Sequence, residues 1–77
     1  MTLKIISATE VLFVGDVEMV TLPGEKGRFT VLNNHASLIS TLVAGDITYR
    51  NGADSATTHI DGGIADVDNN IVSVCVY

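Results

Sequence analysis

The sequence of 77 residues has few of the side chains that cross-link a protein or bind phosphate: one cysteine and four basic residues. A lone cysteine, Cys75, cannot form an internal disulfide bond, which is typical of a reducing compartment. We predict that Cys75 is a small, buried strand residue. No stretch approaches the roughly 20 apolar residues of a membrane span. Residues 1–5 lack the charged region and the cleavage site of a signal peptide, so we expect no secretion signal.

The scarcity of positive charge argues against nucleic acid as a partner. Nine acidic residues give the chain a net charge of −5. A phosphate backbone is bound by a continuous positive stripe, and the basic residues are too few and too scattered to form one. They are Lys4, Lys26, Arg28 and Arg50. Lys26 and Arg28 nevertheless share one loop, which makes that loop locally cationic, although ordinary loop solvation explains such a pair as well.

Motifs for catalysis, metals and nucleotides are also missing. His59 lies two residues before Asp61 on one strand face, which would suit a base and its orienting carboxylate but is more often a surface pair. His35 and His59, without a Cys or His cluster, do not make a zinc site. No Gly-x-x-x-x-Gly-Lys-Ser/Thr loop is present. We therefore predict no catalytic residue, no metal site, no cofactor and no direct ATP binding.

The sequence does contain short apolar runs that are separated by turn residues and carry no helical period. This pattern predicts a single all-β domain over residues 1–77. Residues 10–22 read as one long strand, with a bulge or a close backbone approach at Gly15. Asn51-Gly52 indicates a type I′ hairpin, and residues 68–70 indicate another tight turn.

The stretch from Pro23 to Leu38 has the densest turn chemistry. Pro23-Gly24 is predicted to end a strand and start a turn, and Gly27 allows a further reversal. A short β-favouring run over 29–32 leads to Asn33-Asn34, a pair that tolerates left-handed backbone. Later in the chain, Gly62-Gly63 allows a bend or a bulge.

This stretch resembles the signature of the epsilon subunit of F-type ATP synthases, a subunit called delta in mitochondria. The family pattern is Pro-Gly, two residues, Gly, an apolar strand and then Pro-Gly-His-Ala-Pro-Leu. The matching residues are Pro23, Gly24, Gly27, Phe29, Leu32, His35, Ala36 and Leu38. The chain departs from the pattern at Thr30, Asn33-Asn34 and Ser37. Further blocks at 12–18, 42–45, 62–67 and 69–74 resemble the family in the same order.

The resemblance implies a fold and a role. The fold is a flattened sandwich of two antiparallel β-sheets. The two-helix hairpin that usually follows in this family is not expected, because the sequence stops at Tyr77 without a helical segment. The role is that of a non-catalytic rotor subunit in the central stalk, which bridges the gamma subunit and the c-ring and so couples ion flow to ATP synthesis. The expected location is the cytoplasmic face of the bacterial inner membrane, with membrane contact only through the complex.

The resemblance also implies which residues meet partners. Lys26 and Arg28 are expected to contact polar or acidic groups of the c-ring loops. His35 is expected near the gamma subunit, although a hydrogen bond to its own turn is an equal alternative. Three hydroxyl residues are expected to join the gamma contact: Ser7, Ser37 and Thr41.

Two other interpretations stay open at this point. One is a free-standing β-sandwich that binds a small molecule or a carbohydrate, which would need exposed aromatic side chains. The other is a small β-barrel enzyme built on His59 and Asp61.

Overall fold

A computed structural model describes residues 1–77 as nine β-strands, which confirms the predicted all-β class. The strands are β1 (Thr2–Ile6), β2 (Val11–Asp16), β3 (Met19–Gly24), β4 (Gly27–Leu32), β5 (Leu38–Leu42), β6 (Gly45–Asn51), β7 (Asp54–Ile60), β8 (Gly63–Asp68) and β9 (Ile71–Val76). No helix of the chain has the length and apolar character needed to cross a membrane.

The strands form one hydrogen-bonded sheet that curls into two layers. One layer has the order β2-β1-β9-β8-β5, and the other has the order β4-β3-β6-β7. The layers join at the end of β3, where Gly24 pairs with Leu42 of β5. The predicted antiparallel sandwich is confirmed, with one exception: β1 and β9 run parallel.

The core lies between the two layers and is built by the alternation of side chains along each strand. Leu3 and Val72 come from one layer and Leu22 and Ile47 from the other, and all four are fully buried. Fourteen buried apolar residues form a single cluster. Because each fully buried aliphatic side chain is worth about 1.5–3 kcal/mol, this cluster is the main source of stability.

The strand registers place the connections at two opposite ends of the sandwich. The tip end carries the turns at 7–10, 25–26, 43–44 and 61–62. The clasp end carries Met1 and the connections at 17–18, 33–37, 52–53 and 69–70. The sequence stretch singled out above therefore runs the length of the molecule, from a turn at the tip end to one at the clasp end.

The predicted single strand over residues 10–22 is wrong, because β2 ends at Asp16 and β3 begins at Met19. At the break the backbone changes partners: Val17 N–H donates to Met1 O (2.8 Å) and Glu18 N–H donates to Arg50 O (2.9 Å). At Gly15 the close neighbour is a side chain and not another backbone, since a Cβ there would lie 2.7 Å from the Phe13 ring. The register shift lies elsewhere, between Ile5 and Ile6 of β1.

Two smaller predictions need correction. Asn51 pairs with Asp54, so the β6–β7 turn consists of Gly52 and Ala53. Only Gly52 has a positive φ (63°), as a type II′ turn requires, and not the predicted type I′. Cys75 is exposed rather than buried, because its neighbour Val74 takes the inward position on β9. The tight turn predicted at 68–70 is confirmed, with positive φ at its Asn69 and Asn70.

Candidate functional site

The turn between β3 and β4 is an exposed two-residue hairpin formed by Glu25 and Lys26. Gly27 follows with φ of 121°, a conformation that favours glycine. Below the turn, Glu25 N–H donates to Thr41 O (2.9 Å) and Val43 N–H donates to Pro23 O (2.9 Å). We call Glu25, Lys26 and Arg28 the cationic tip. Its backbone is therefore anchored to the end of β5, while its side chains face solvent.

The tip brings three of the predicted partner-binding residues together. Lys26, Arg28 and Thr41 line one surface depression of about 460 Å³. Arg28 Nη1 donates a hydrogen bond to Asp46 O at 2.9 Å, which positions the guanidinium beside the start of β6. Lys26 makes no hydrogen bond or ion pair within the chain, so its ammonium is free to bind a partner. The Asp46 carbonyl is a contact that the sequence pattern does not indicate.

Ser7 lies at the same tip end, but its hydroxyl is used within its own turn. The Oγ atom accepts a hydrogen bond from Glu10 N–H at 3.2 Å, and the Ser7 N–H donates to Glu10 O at 2.9 Å. These bonds are those expected of a serine that stabilises a turn.

His35 and Ser37 lie at the clasp end and are separated from the tip by the length of the strands. His35 N–H donates to Leu32 O (3.2 Å), and its Nδ1 donates to Ala36 O (2.7 Å). Ser37 Oγ donates to Asp68 Oδ1 at 2.7 Å. Both side chains are exposed. The structure thus divides the predicted partner-binding residues between two ends rather than gathering them in one site.

Asparagine side chains hold the clasp end together. Asn33 Oδ1 accepts a hydrogen bond from the buried Met1 ammonium (2.7 Å), and Asn70 Oδ1 accepts one from Asn34 N–H (2.8 Å). The ammonium also donates to Val17 O (3.0 Å). We call Asn33, Asn34 and Asn70, together with this ammonium, the asparagine clasp. Sequence reasoning treated both Asn pairs only as turn formers. Their recurrence in two turns is the signal that could have indicated a contact between them.

His59 forms exposed contacts with two carboxylates. Its Nδ1 lies 2.9 Å from Asp46 Oδ1 and its Nε2 lies 4.0 Å from Asp61 Oδ1. The closer carboxylate is thus on the neighbouring strand β6 and not the Asp61 that the spacing suggested. All three side chains are more than half exposed. No group of three or more His, Cys, Asp or Glu side chains is placed to hold a metal ion.

Three of the predicted turn glycines have close neighbours, whereas a Cβ at Gly27 would meet no atom within 4 Å. A Cβ at Gly24 would lie 2.7 Å from Gly27 O, and one at Gly63 would lie 2.1 Å from Cys75 O. At Gly62 a Cβ would lie 2.8 Å from the Tyr77 ring. Pro23 is buried as the penultimate residue of β3. Space therefore requires glycine at Gly24 and Gly63, where the close neighbour is backbone, whereas at Gly62 the φ of 143° favours glycine.

Comparison with known proteins places these features in a family. Residues 1–77 match the sequence profile of the family "ATP synthase, Delta/Epsilon chain, beta-sandwich domain". An ATP synthase epsilon chain of Campylobacter lari is 44% identical over 77 residues, which is 95% of this chain and 57% of the relative. One of Caulobacter vibrioides is 48% identical over 56 residues, which is 73% of this chain and 65% of the relative.

Solved structures show the same fold. A chain in the cryo-EM structure of the Euglena gracilis mitochondrial ATP synthase, described as OSCP/F1/c-ring in rotational state 1, superposes with a TM-score of 0.90. The sequence identity is 22%, over 96% of this chain and 48% of that one. The chain spans less than two thirds of the length of each of these relatives. On the profile match and the identities together, this chain belongs to the delta/epsilon family of ATP synthase subunits, of which it comprises the β-sandwich domain.

Proposed function

We propose that this domain is a non-catalytic part of the rotor of an F-type ATP synthase, where it bridges the gamma subunit and the c-ring. In this role it couples ion flow through the ring to ATP synthesis, at the cytoplasmic face of the bacterial inner membrane. The observation that carries the proposal is the cationic tip, whose Lys26 has no partner within the chain although its backbone is anchored at both sides.

The tip is suited to the polar loops of a c-ring. Arg28 is held by Asp46 O and Lys26 is free, so two cations lie at the rim of one depression. Charge-assisted hydrogen bonds from such groups fix the orientation of a complex more than they raise its affinity. We assign Lys26 and Arg28 to the ring contact.

The gamma contact is assigned to the outer face of β5 and its two ends. Ile39 and Thr41 lie on this face of the strand and are exposed, as are Ser37 and His35 just before it, and Ser7 lies at the same end as Thr41. The Ile39 residue is 76% exposed. Its one cross-strand partner is Asp66 of β8. A large exposed aliphatic side chain among hydroxyl groups is suited to a protein contact with an apolar centre and a polar rim.

Torque transmission requires a body that does not deform under load. The two layers share one sheet with 40 backbone hydrogen bonds within its strands and one core cluster, so a force applied at the tip is carried through the whole domain. This rigidity supports a mechanical role, and such a role does not require a reactive centre.

The test is binding to recombinant gamma subunit and to an assembled gamma–c-ring complex. We expect Arg28→Glu to weaken binding to the gamma–ring complex by about tenfold or more while leaving binding to gamma alone unchanged. Ile39→Glu should weaken binding to gamma. Val14→Glu, at an exposed aliphatic residue of β2, is the matched control for Ile39 and should bind as wild type does. Equal binding of wild type and Arg28→Glu to both partners would show that the tip assignment is wrong.

A further inference from the structure

The sandwich has an open side where the edge strand β2 of one layer faces the β6–β7 hairpin of the other. β2 pairs only with β1, and β7 pairs only with β6, so no backbone hydrogen bonds close this side. A cavity of about 260 Å³ lies in the gap, which we call the seam cavity. Its walls come from both layers, and the residues used below are Phe13, Asp16, Tyr49, Asp54 and Ser55.

The floor of the seam cavity is aromatic. Phe13 of β2 and Tyr49 of β6 lie with their ring centroids 4.5 Å apart at an interplanar angle of 40°, and both rings are half-buried against the core. The Tyr49 hydroxyl makes no hydrogen bond within the chain. Aromatic faces carry partial negative charge and attract cations, Arg and Lys above all.

The two walls each carry a carboxylate. Asp16 ends β2 and Asp54 begins β7, so the acids belong to opposite layers. Asp54 makes no hydrogen bond or ion pair in the chain. The Asp16 side chain is 79% exposed and has one cationic contact, the Met1 ammonium at 3.3 Å. The nearby guanidinium of Arg50 is engaged by Glu18 at 3.3 Å. The cavity therefore has an apolar aromatic floor and a negatively charged rim, where the Asp54 carboxylate has no partner in the chain and the Asp16 carboxylate has only the Met1 ammonium.

We propose that the seam cavity binds the guanidinium or ammonium group of an Arg or Lys side chain presented by a partner protein. The aliphatic stem of such a side chain packs over Phe13 and Tyr49, while its charged head reaches the carboxylates of Asp16 and Asp54. Arg is the better fit, because its planar group both stacks on rings and bonds two carboxylates.

Size and charge favour a single basic side chain over other classes of ligand. The volume of about 260 Å³ is smaller than the roughly 300–1,000 Å³ of pockets that enclose a whole small molecule, so it suits a single side chain. Phosphate-bearing ligands would be repelled by the two acids. The site lies at the clasp end, away from Lys26 and Arg28, so the proposal is independent of the ring contact proposed above.

The experiment is an amide-shift NMR titration of the ¹⁵N-labelled chain with N-acetyl-arginine methylamide. Its neutral isostere, N-acetyl-citrulline methylamide, is the control probe. We expect arginine-specific shifts at Gly15, Tyr49, Asp54 and Ser55, with a dissociation constant in the millimolar range. Asp54→Asn should weaken arginine binding by about threefold or more. Asp61→Asn makes the same charge change at the tip end and should have no effect.

Each outcome decides the proposal. Equal shifts with citrulline and arginine, equal effects of Asp54→Asn and Asp61→Asn, or an absence of shifts would overturn it. A third probe, agmatine, separates a free metabolite from a side chain. Binding of agmatine far tighter than binding of the blocked arginine would show that the site takes a small amine and would overturn the assignment to a protein partner. Because Asp54 is exposed and unpaired, its variant is expected to fold, and a thermal melt checks this.

Discussion

The two ends of the sandwich both carry two-residue turns, but they differ in where the turn side chains bind. At the cationic tip, the side chains of Glu25 and Lys26 make no hydrogen bond or ion pair within the chain, although the backbone of the turn is anchored. In the asparagine clasp, the Asn33 and Asn70 side chains accept hydrogen bonds from other parts of the chain. An ammonium without a partner in the chain, such as that of Lys26, is available to bind another protein, whereas the bonded asparagine side chains contribute to stability. The proposed ring contact is therefore expected at the tip, and the larger contribution of turn side chains to stability is expected at the clasp.

The largest loss of stability is expected for a substitution at Gly24, the last residue of β3 before the turn of the tip. In Gly24→Ala the new Cβ would lie 2.7 Å from Gly27 O and 2.8 Å from the Phe29 ring. Because backbone must move to relieve this clash, we expect a loss of about 3 kcal/mol in the free energy of unfolding, measured by urea denaturation. Gly27→Ala meets no atom within 4 Å and is the control for added volume, although its φ of 121° carries its own strain. If Gly24→Ala is as stable as wild type, the backbone at the base of the tip moves to relieve the clash without loss of stability.

A smaller effect is expected at the clasp, for Asn33→Ala. The change removes one acceptor from the Met1 ammonium, which keeps Val17 O and the Asp16 carboxylate as partners. Hydrogen bonds to charged groups are worth about 1.5–3 kcal/mol, so we expect a loss of about 2 kcal/mol in unfolding free energy.

The matched control for Asn33 is Asn51→Ala. Asn51 is an exposed asparagine near the same end whose side chain makes no hydrogen bond in the chain. We expect it to change stability by less than about 0.5 kcal/mol. Equal melting of the two variants would mean that the clasp adds no stability, and the contrast between the two ends would fail.

Features of the fold that depend on local sequence could be predicted from the sequence alone, whereas features that depend on distant parts of the chain could not. Alternation along the strands and turn residues between them predict the fold class, because both are local signals. The break at Val17 could not be found in this way, since it depends on Met1 and Arg50, which meet it only in the folded sheet. Cys75 was misplaced because its side of β9 is set by register and not by its own apolar character.

Among the predicted site residues too, only those close in sequence could be placed together. Lys26 and Arg28 lie close together because they share one hairpin, so the sequence alone predicts that they are neighbours. The division of Ser7 and Thr41 from His35 and Ser37 depends on strand direction across the sheet, which no spacing reveals. The seam cavity lies between β2 of one layer and β7 of the other, and nothing in the sequence predicts that Asp16 and Asp54 line the same cavity.

The smallest effect on stability is expected for Lys26→Ala. The size of this effect tests whether the Lys26 side chain contributes to the fold. Its ammonium bonds to nothing in the chain and its side chain is exposed, so truncation should alter the free energy of unfolding by less than about 0.5 kcal/mol. The same variant should nevertheless lose affinity for the gamma–c-ring complex, and the loss should shrink as salt is raised, because an exposed charge contact is screened. A thermal melt and a binding titration on one preparation measure both quantities. A loss of stability above about 1 kcal/mol would show that Lys26 serves the fold after all. Unchanged ring affinity with unchanged stability would show that the Lys26 ammonium takes no part in the ring contact, and that at this position the tip is an ordinary solvated turn.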